Sequence, residues 1–511
     1  MKKIILIAAL IIAITSVGVL ILWQNGSLNN LINKNDTSFA QAFLPQIKQI
    51  YYRQDILIPV SKFKTYKIQY SLAELTKDKL VTLAANKNLL PIGYEDIVLI
   101  LPEDLEKNLQ ADKIALLTPD QVLPKYRTLQ IDQQSFWQKN FQIQNYPLKK
   151  LIASYDATII TDEKPIVIFA TGEIIPARAV DRLGFNKYNN FTYVYDFFKN
   201  DIASADIAIA QLENSLLGNP KPCSGCMAFI GDDQVANSLK EEGFDWVNTA
   251  GNHAGDAGQK AYGNTIKLFT DLGIQVTGTG KTEEEILKPA INEINGRRIG
   301  LISADDIANY YWNLSPNNTT YGTNYFSKSN NGALSVDTAR VAKIATIKKD
   351  NNLDYLIVYM SWGIEYTNNS TKHQQELAHK LIDNGADLII ASHPHWVQSI
   401  EEYNGKMILY SMGNFIFDQT HTTETRQGYV TNLDFWKNEL KNIEIIPQQS
   451  CGYHQTTNDL IPKYLNNEIT LEEVYNTADK SGCVYWQPKK LKEDHPAYKQ
   501  ILDRIYQYTE L

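Results

Sequence analysis

Residues Leu377–Gln398 read LAHKLIDNGADLIIASHPHWVQ, and this stretch decides the fold. A helical pattern ends near Gly385, and the apolar run DLIIAS at 387–392 follows and stops at His393-Pro394-His395. A short, continuous apolar run bounded by turn residues predicts a strand buried on both faces. The same unit recurs outward in both directions. PIVIFA at 165–170 ends at Thr171-Gly172-Glu173, and DIAIAQ at 206–211 ends at Leu212-Glu213-Asn214. FDWVNTA at 244–250 ends at Gly251-Asn252-His253, and RIGLISA at 298–304 ends at Asp305-Asp306. DYLIVYM at 354–360 ends at Ser361-Trp362-Gly363, and KMILYS at 406–411 ends at Met412-Gly413-Asn414. Buried strands alternating with amphipathic helices predict an α/β domain with helices on both sides. Polar residues sit just past the strand carboxyl ends, where open α/β sheets place their ligands.

The remainder of the chain is organised around that domain. Composition is ordinary for a globular protein of 511 residues, with 44% hydrophobic and 21% charged residues, which excludes a disordered or collagenous chain. The net charge of −8 argues against a nucleic-acid partner, which would call for a basic face. Residues 43–160 predict a small α/β accessory domain, with strand runs ILIPV at 56–60, DIVLILP at 96–102 and KIALLTP at 113–119. It contains no His and is expected to bind, dock or space rather than catalyse. Asn309–Asn331, rich in Asn, Ser and Tyr, predicts a long loop flanking the site. Residues 436–511 predict an extension that completes the domain, with a Cys-bounded excursion and a closing helix over Ala497–Thr509.

Ile4–Trp23 is an almost unbroken apolar run, and about twenty helical residues span a hydrocarbon core. Lys2 and Lys3 precede it, so residues 1–36 predict a signal-anchor helix and linker: a single pass through the cell membrane, N-terminus cytoplasmic, the bulk extracytoplasmic. A cleaved signal peptide is the competing reading, and it fits less well because the nearest A-x-A pattern is Ala40-Gln41-Ala42. Outside the membrane, four cysteines predict disulfides, Cys223 with Cys226 and Cys451 with Cys483, though four cysteines allow three connectivities and a four-thiolate zinc site is the alternative.

Three of the eight His, His253, His393 and His395, fall at strand ends. With Asn252, Glu173 and Glu213 they make a mixed N/O set suited to a divalent ion such as Mn, Zn or Fe, which would activate water or polarise a phosphoryl or carbonyl oxygen. Spacing alone leaves a hydrogen-bonded polar cleft equally open.

The ordered motifs TGEIIPAR, ADIAIAQLENSL, NTAGNHAGDAG, YMSWGIEY, LAHKLIDNGADLIIASHPHWVQ and ILYSMGNFIFDQ resemble the CapA-type family of capsule and poly-γ-glutamate biosynthesis proteins. The resemblance covers roughly residues 164 to 435 and implies a layered αββα domain similar to the calcineurin-like metallophosphatases. It implies a metal set of Glu173, Glu213, Asn252, His393 and His395. It also implies catalytic roles for His253, Asp256 and Asn414, and substrate contacts at Arg178, Glu365 and Tyr366. The implied partners are the cell membrane and an anionic surface polymer or its synthase complex. The implied activity is metal-dependent hydrolysis, with a non-catalytic binding component as the alternative. Three positions depart from the family's pattern. Gly-Asp becomes Gly172-Glu173, Asn-Leu-Glu becomes Gln211-Leu212-Glu213, and His-Trp-Gly becomes Ser361-Trp362-Gly363. Glu173 moves its oxygens by about a bond length relative to Asp, and Ser361 replaces an imidazole with a poor neutral ligand.

Overall fold

The computed structural model describes residues 51–154, 164–178, 180–181, 191–218, 228–307, 319–330, 333–419, 421–450, 468, 473 and 486–511. The apolar run Ile4–Trp23, its linker and all four cysteines lie outside these residues. Among the described residues, no helix is long and apolar enough to cross a membrane. The chain divides into two compact units. The smaller comprises residues 1–54 and 151–161, of which 51–54 and 151–154 are described. The larger joins Asp55–Lys150 with Asp162–Leu511.

Within the larger unit, the accessory part is a five-stranded sheet. Its strands are β1 (Ile58–Lys62), β2 (Leu80–Leu83), β3 (Val98–Ile100), β4 (Ile114–Leu117) and β5 (Tyr126–Thr128), in the order β3-β2-β4-β1-β5.

Two larger sheets carry the strands read from the sequence. The first comprises β6 (Ile166–Ile174), β7 (Ile207–Leu212), β8 (Trp246–Asn248) and β9 (Gln275–Thr277), all parallel. The second is built on β10 (Ala290–Ile294), β11 (Arg297–Asp305), β12 (Tyr355–Ser361), β13 (Leu388–Ser392), β14 (Ile400–Tyr403) and β15 (Lys406–Leu409), in the order β10-β11-β12-β13-β15-β14. The chain then returns to the first sheet. β16 (Asn414–Ile416) pairs with β6, and β17 (Gln427–Trp436), β18 (Glu439–Ser450) and β19 (Pro488–Lys490) extend it beyond β6. Strands β18 and β19, beyond residue 436, are therefore integral to the first sheet, and a boundary at 435 falls one residue before the end of β17.

The core explains the continuous apolar runs. Ile168, Ile209 and Trp246 of the first sheet share one cluster with Leu301, Ile357 and Ile390 of the second. Their sequence neighbours point the other way, as the two-residue strand period requires. Phe169, Ala210 and Val247 pack with Phe198, Leu239 and Phe269, in or beside helices α1 (Lys199–Ser204), α2 (Gln234–Glu242) and α3 (Gly258–Asp271). Ile302, Val358 and Ile389 pack with Ile344, Leu377 and Leu381 of helices α4 (Lys343–Asp350) and α5 (Lys372–Asp383). The result is four layers, αββα, so helices cover one face of each sheet and the other sheet covers the second. This refines the expectation of helices on both sides of one sheet.

The accessory sheet is pinned to the main one by polar contacts. The guanidinium of Arg127, fully buried, donates to the carbonyl of Ile445 at 3.0 Å, and Trp436 Nε1 donates to Asp120 at 3.1 Å. The closing helix α6 (Pro496–Gln507) begins at a Pro in its first turn and packs Ile501, Leu502 and Ile505 into the core between the sheets. The expected loop Asn309–Asn331 is more structured than the sequence suggested. Gly322–Thr323 pairs with Thr279–Gly280, Ser327–Asn330 pairs with Ala333–Val336, and Phe326 is buried. Residues 308–318 lie outside the described part.

Candidate functional site: a buried floor of paired side chains

The parallel strands of both sheets bring their carboxyl ends to one cleft. Glu173 stands at the end of β6, Glu213 just past β7, Asn252 and His253 past β8, Asp305 at the end of β11, Ser361 at the end of β12, and His393 and His395 past β13. Two glycines make the approach possible. A Cβ on Gly172 would strike the carbonyl oxygen of Gly413, which accepts from the Glu173 amide at 3.0 Å. A Cβ on Gly251 would come within 2.6 Å of the Glu213 carboxylate.

The floor is buried, and several of its groups meet at close range. His395 Nδ1 lies 2.6 Å from Glu173 Oε2 and 2.9 Å from Asn414 Oδ1. Glu213 accepts twice, from Gln211 Nε2 at 2.6 Å and from the Asn252 amide at 3.0 Å. His393 Nδ1 is 3.2 Å from Asn252 Oδ1. Ser361 Oγ is buried without a hydrogen-bond partner among the described residues. Burial, with Glu173 and Asp305 nearby, pushes the Glu213 carboxyl well above the usual range. Burial pushes the His393 imidazole down to about 3, so it is neutral. For His395, burial opposes the charged form, but the Glu173 carboxylate outweighs it and raises the imidazole above its ordinary value.

Above the floor stands an acid–base dyad. His253 Nδ1 is 2.7 Å from Asp256 Oδ2, which also accepts from the Phe229 amide at 2.7 Å. Asp256 thus fixes the ring, leaving Nε2 as the working nitrogen. The Phe229 ring lies 4.2 Å from the His253 ring and 4.5 Å from the Arg178 guanidinium carbon, and Phe417 covers the other approach to Arg178 at 5.1 Å. Arg178 pairs with Asp418, while its Nε has no hydrogen-bond partner among the described residues. Tyr366 stacks on His395 with ring centres 5.8 Å apart and accepts from Gln419 Nε2 at 2.5 Å. Burial and neighbouring Glu365 push its phenol up to about 12. Four non-glycine residues in the left-handed backbone region, Arg178, Tyr366, His393 and His395, all face this cleft. Such strain, about 1–3 kcal/mol each, persists where function or packing demands it.

All the residues expected from the sequence therefore meet in one place, but their arrangement differs from the expected division of roles. Asn414 holds His395 in position, with its own amide donating to the Thr425 carbonyl at 2.9 Å, and so serves as a positioning residue. Among the described residues, no three His, Cys, Asp or Glu side chains are grouped so that they could hold a metal ion. Both oxygens of Glu213 accept hydrogen bonds, His393 meets Asn252, and His395 stands against Glu173 Oε2, while Glu173 itself has no hydrogen-bond partner among the described residues; with Glu213 and His395 taken up in this way, the donor set as arranged does not fit an ion. Sequence reasoning missed Asp305 and Asp418, although the strand-end position of Asp305 was the available signal. It also missed the cluster past β11, where Ser327 Oγ and Asp306 lie 2.9 and 3.2 Å from His373 Nε2.

The family "Bacterial capsule synthesis protein PGA_cap" matches residues 167–419. The chain is similar to the capsule biosynthesis protein CapA of Bacillus anthracis, 25% identical over 67% of this chain and 81% of that protein. It is also similar to the PGA biosynthesis protein CapA of Bacillus subtilis, 29% identical over 54% of this chain and 69% of that one. Among solved structures, a hypothetical protein from Thermus thermophilus aligns with a TM-score of 0.35 at 14% identity, covering 55% of this chain and 98% of that one. The motifs quoted from the sequence, the matched span and the named relatives converge: residues 167–419 carry the capsule synthesis domain of the CapA-type family.

Proposed function

We propose that this chain handles an anionic surface polymer of the poly-γ-glutamate or capsule type, binding it in the cleft on the outer side of the cell membrane. The apolar segment Ile4–Trp23 would anchor it there, with Lys2 and Lys3 on the cytoplasmic side. The observation that carries this reading is Arg178. Its guanidinium packs against the Phe229 and Phe417 rings beside Asp418, and the side chain keeps 28% of its surface exposed at the cleft. A planar guanidinium held in this way suits a polymer carboxylate or phosphate. Glu365 and Tyr366 flank the same opening and would contact backbone amides or hydroxyls of the polymer. The polymer or its synthase complex is the partner class.

A second reading is a hydrolase or transferase of metallophosphatase-like ancestry acting on polymer linkages. The His253–Asp256 dyad favours it, because an oriented imidazole can protonate a leaving group. The deciding experiment measures surface polymer in a strain whose copy is replaced by Arg178→Ala or by His253→Gln. Loss of polymer with Arg178→Ala and retention with His253→Gln is expected from polymer binding. Loss with His253→Gln at unchanged polymer affinity would establish the enzyme instead.

A further inference from the structure

Three positions, Glu173, Gln211 and Ser361, shape the surroundings of the residues expected to hold an ion. These are the same positions at which the sequence departs from its family's pattern. Each departure has a visible consequence. The longer carboxylate of Glu173 meets His395 Nδ1 at 2.6 Å. The longer amide of Gln211 reaches Glu213 Oε2 at 2.6 Å, while the Asn252 amide takes Oε1 at 3.0 Å, so both oxygens of Glu213 are engaged. At Ser361 a buried hydroxyl stands where the family's pattern has an imidazole.

An ion bound to Glu213, or between Glu173 and His395, would have to displace these donors. A buried Gln211 amide stripped of its acceptor loses a hydrogen bond that water cannot replace. A displaced His395 would leave Asn414 without its partner as well. A neutral serine hydroxyl offers too little to offset those losses. We infer that the floor of this cleft is a metal-independent assembly, in which the Gln211 amide and the His395 imidazole stand where ions would otherwise neutralise Glu213 and Glu173. The inference is independent of whether the cleft binds polymer or cleaves it.

The test uses the full chain purified in detergent, loaded with Mn²⁺ and Zn²⁺, dialysed and assayed by elemental analysis. In parallel, its melting midpoint is followed with each ion and with EDTA. Substoichiometric metal and a midpoint indifferent to ion or chelator are expected. One or more ions per chain surviving dialysis, or a midpoint lowered by EDTA, overturns the inference. The combined variant Glu173→Asp, Gln211→Asn, Ser361→His is expected to retain about tenfold more metal than the parent, the scale on which ligand-supporting contacts act. If it is folded by circular dichroism and still metal-poor, the three positions are not the cause and the inference fails. Should it misfold, Gln211→Asn and Ser361→His are compared singly by the same assay. The Arg178 polymer assay is read separately, so failure of either claim leaves the other standing.

Discussion

Nδ1 of His395 and Oε2 of Glu173 lie 2.6 Å apart at the floor of the cleft, with both side chains shut off from solvent. Removing one partner of such a pair leaves an uncompensated buried charge or an orphaned ring. Glu173→Gln and His395→Asn are each expected to lower stability by about 3 kcal/mol. The double variant should lose clearly less than the sum, because the second substitution removes a group already unpaired. Thermal unfolding of the four proteins of this cycle checks it. Additive losses would show that the two side chains are not coupled.

Gly172 and Gly413 set the register on which that pair depends. The Glu173 amide donates to the Gly413 carbonyl at 3.0 Å, and there is no room for a Cβ on Gly172 beside that oxygen. Gly172→Ala should therefore push β6 and β16 apart and cost about 3 kcal/mol or more. Gly296→Ala is the control: it has open space around it but also a positive φ of 72°, so its loss should stay near 1 kcal/mol. Comparable melting midpoints for the two variants would contradict the close-approach argument.

Much of this was legible in the sequence, for a physical reason. Strands such as Tyr355–Ser361 are buried at every position, so their apolar runs are unbroken and their ends are marked by the first polar residues, which are the site residues. The hairpin β17–β18 was harder to read. Its buried positions include Gln427, Thr431, Asp434, Asn442 and Gln448, of which Asn442 donates to Asp434 across the strands, and together they blur the apolar pattern. Pairings across long separations were also invisible. Arg178 meets Asp418, 240 residues away, and nothing local to either residue announces it. The Gln211–Glu213 bond is the opposite case: the two are neighbours on one strand end, yet only side-chain geometry shows that the amide is spent on the carboxylate.

Arg178 supplies the prediction closest to function. Its charge lies against both Phe229 and Phe417, where cation–π contact is worth about 0.5–2 kcal/mol and holds the fork in place. Binding of poly-γ-glutamate to the full chain should weaken about tenfold in Arg178→Ala, the effect of losing one charge-assisted hydrogen bond of roughly 1.5 kcal/mol. The salt dependence of binding should flatten with it. Arg178→Lys should recover little, because an ammonium lacks the planar fork and stacks poorly. Titration by biolayer interferometry at low and high salt checks both. Equal affinity of parent and Ala variant would remove Arg178 from the binding surface.

Asp434 offers a pH-dependent test away from the cleft. It lies on β17 opposite Val167 of β6 and Asn442 of β18, fully buried, with Asn442 Nδ2 donating to it at 2.6 Å. Burial pushes its carboxyl well above the usual range, against the smaller effect of the Asn442 hydrogen bond. A raised carboxyl means the folded chain holds a proton that the unfolded chain has released. Its contribution is then most favourable below the unfolded value and diminishes as pH rises toward the folded one. Asp434→Asn keeps a carbonyl to accept from Asn442 and removes the cost of holding a carboxyl protonated in the folded chain. It should stabilise the protein by about 1 kcal/mol at neutral pH. At acidic pH, where Asp434 is already protonated, the two proteins should melt alike. Melting midpoints between about pH 4 and pH 8 read this as two curves that separate with rising pH. Parallel curves, or a variant less stable at every pH, would show that Asp434 is ionised and stabilising within the sheet.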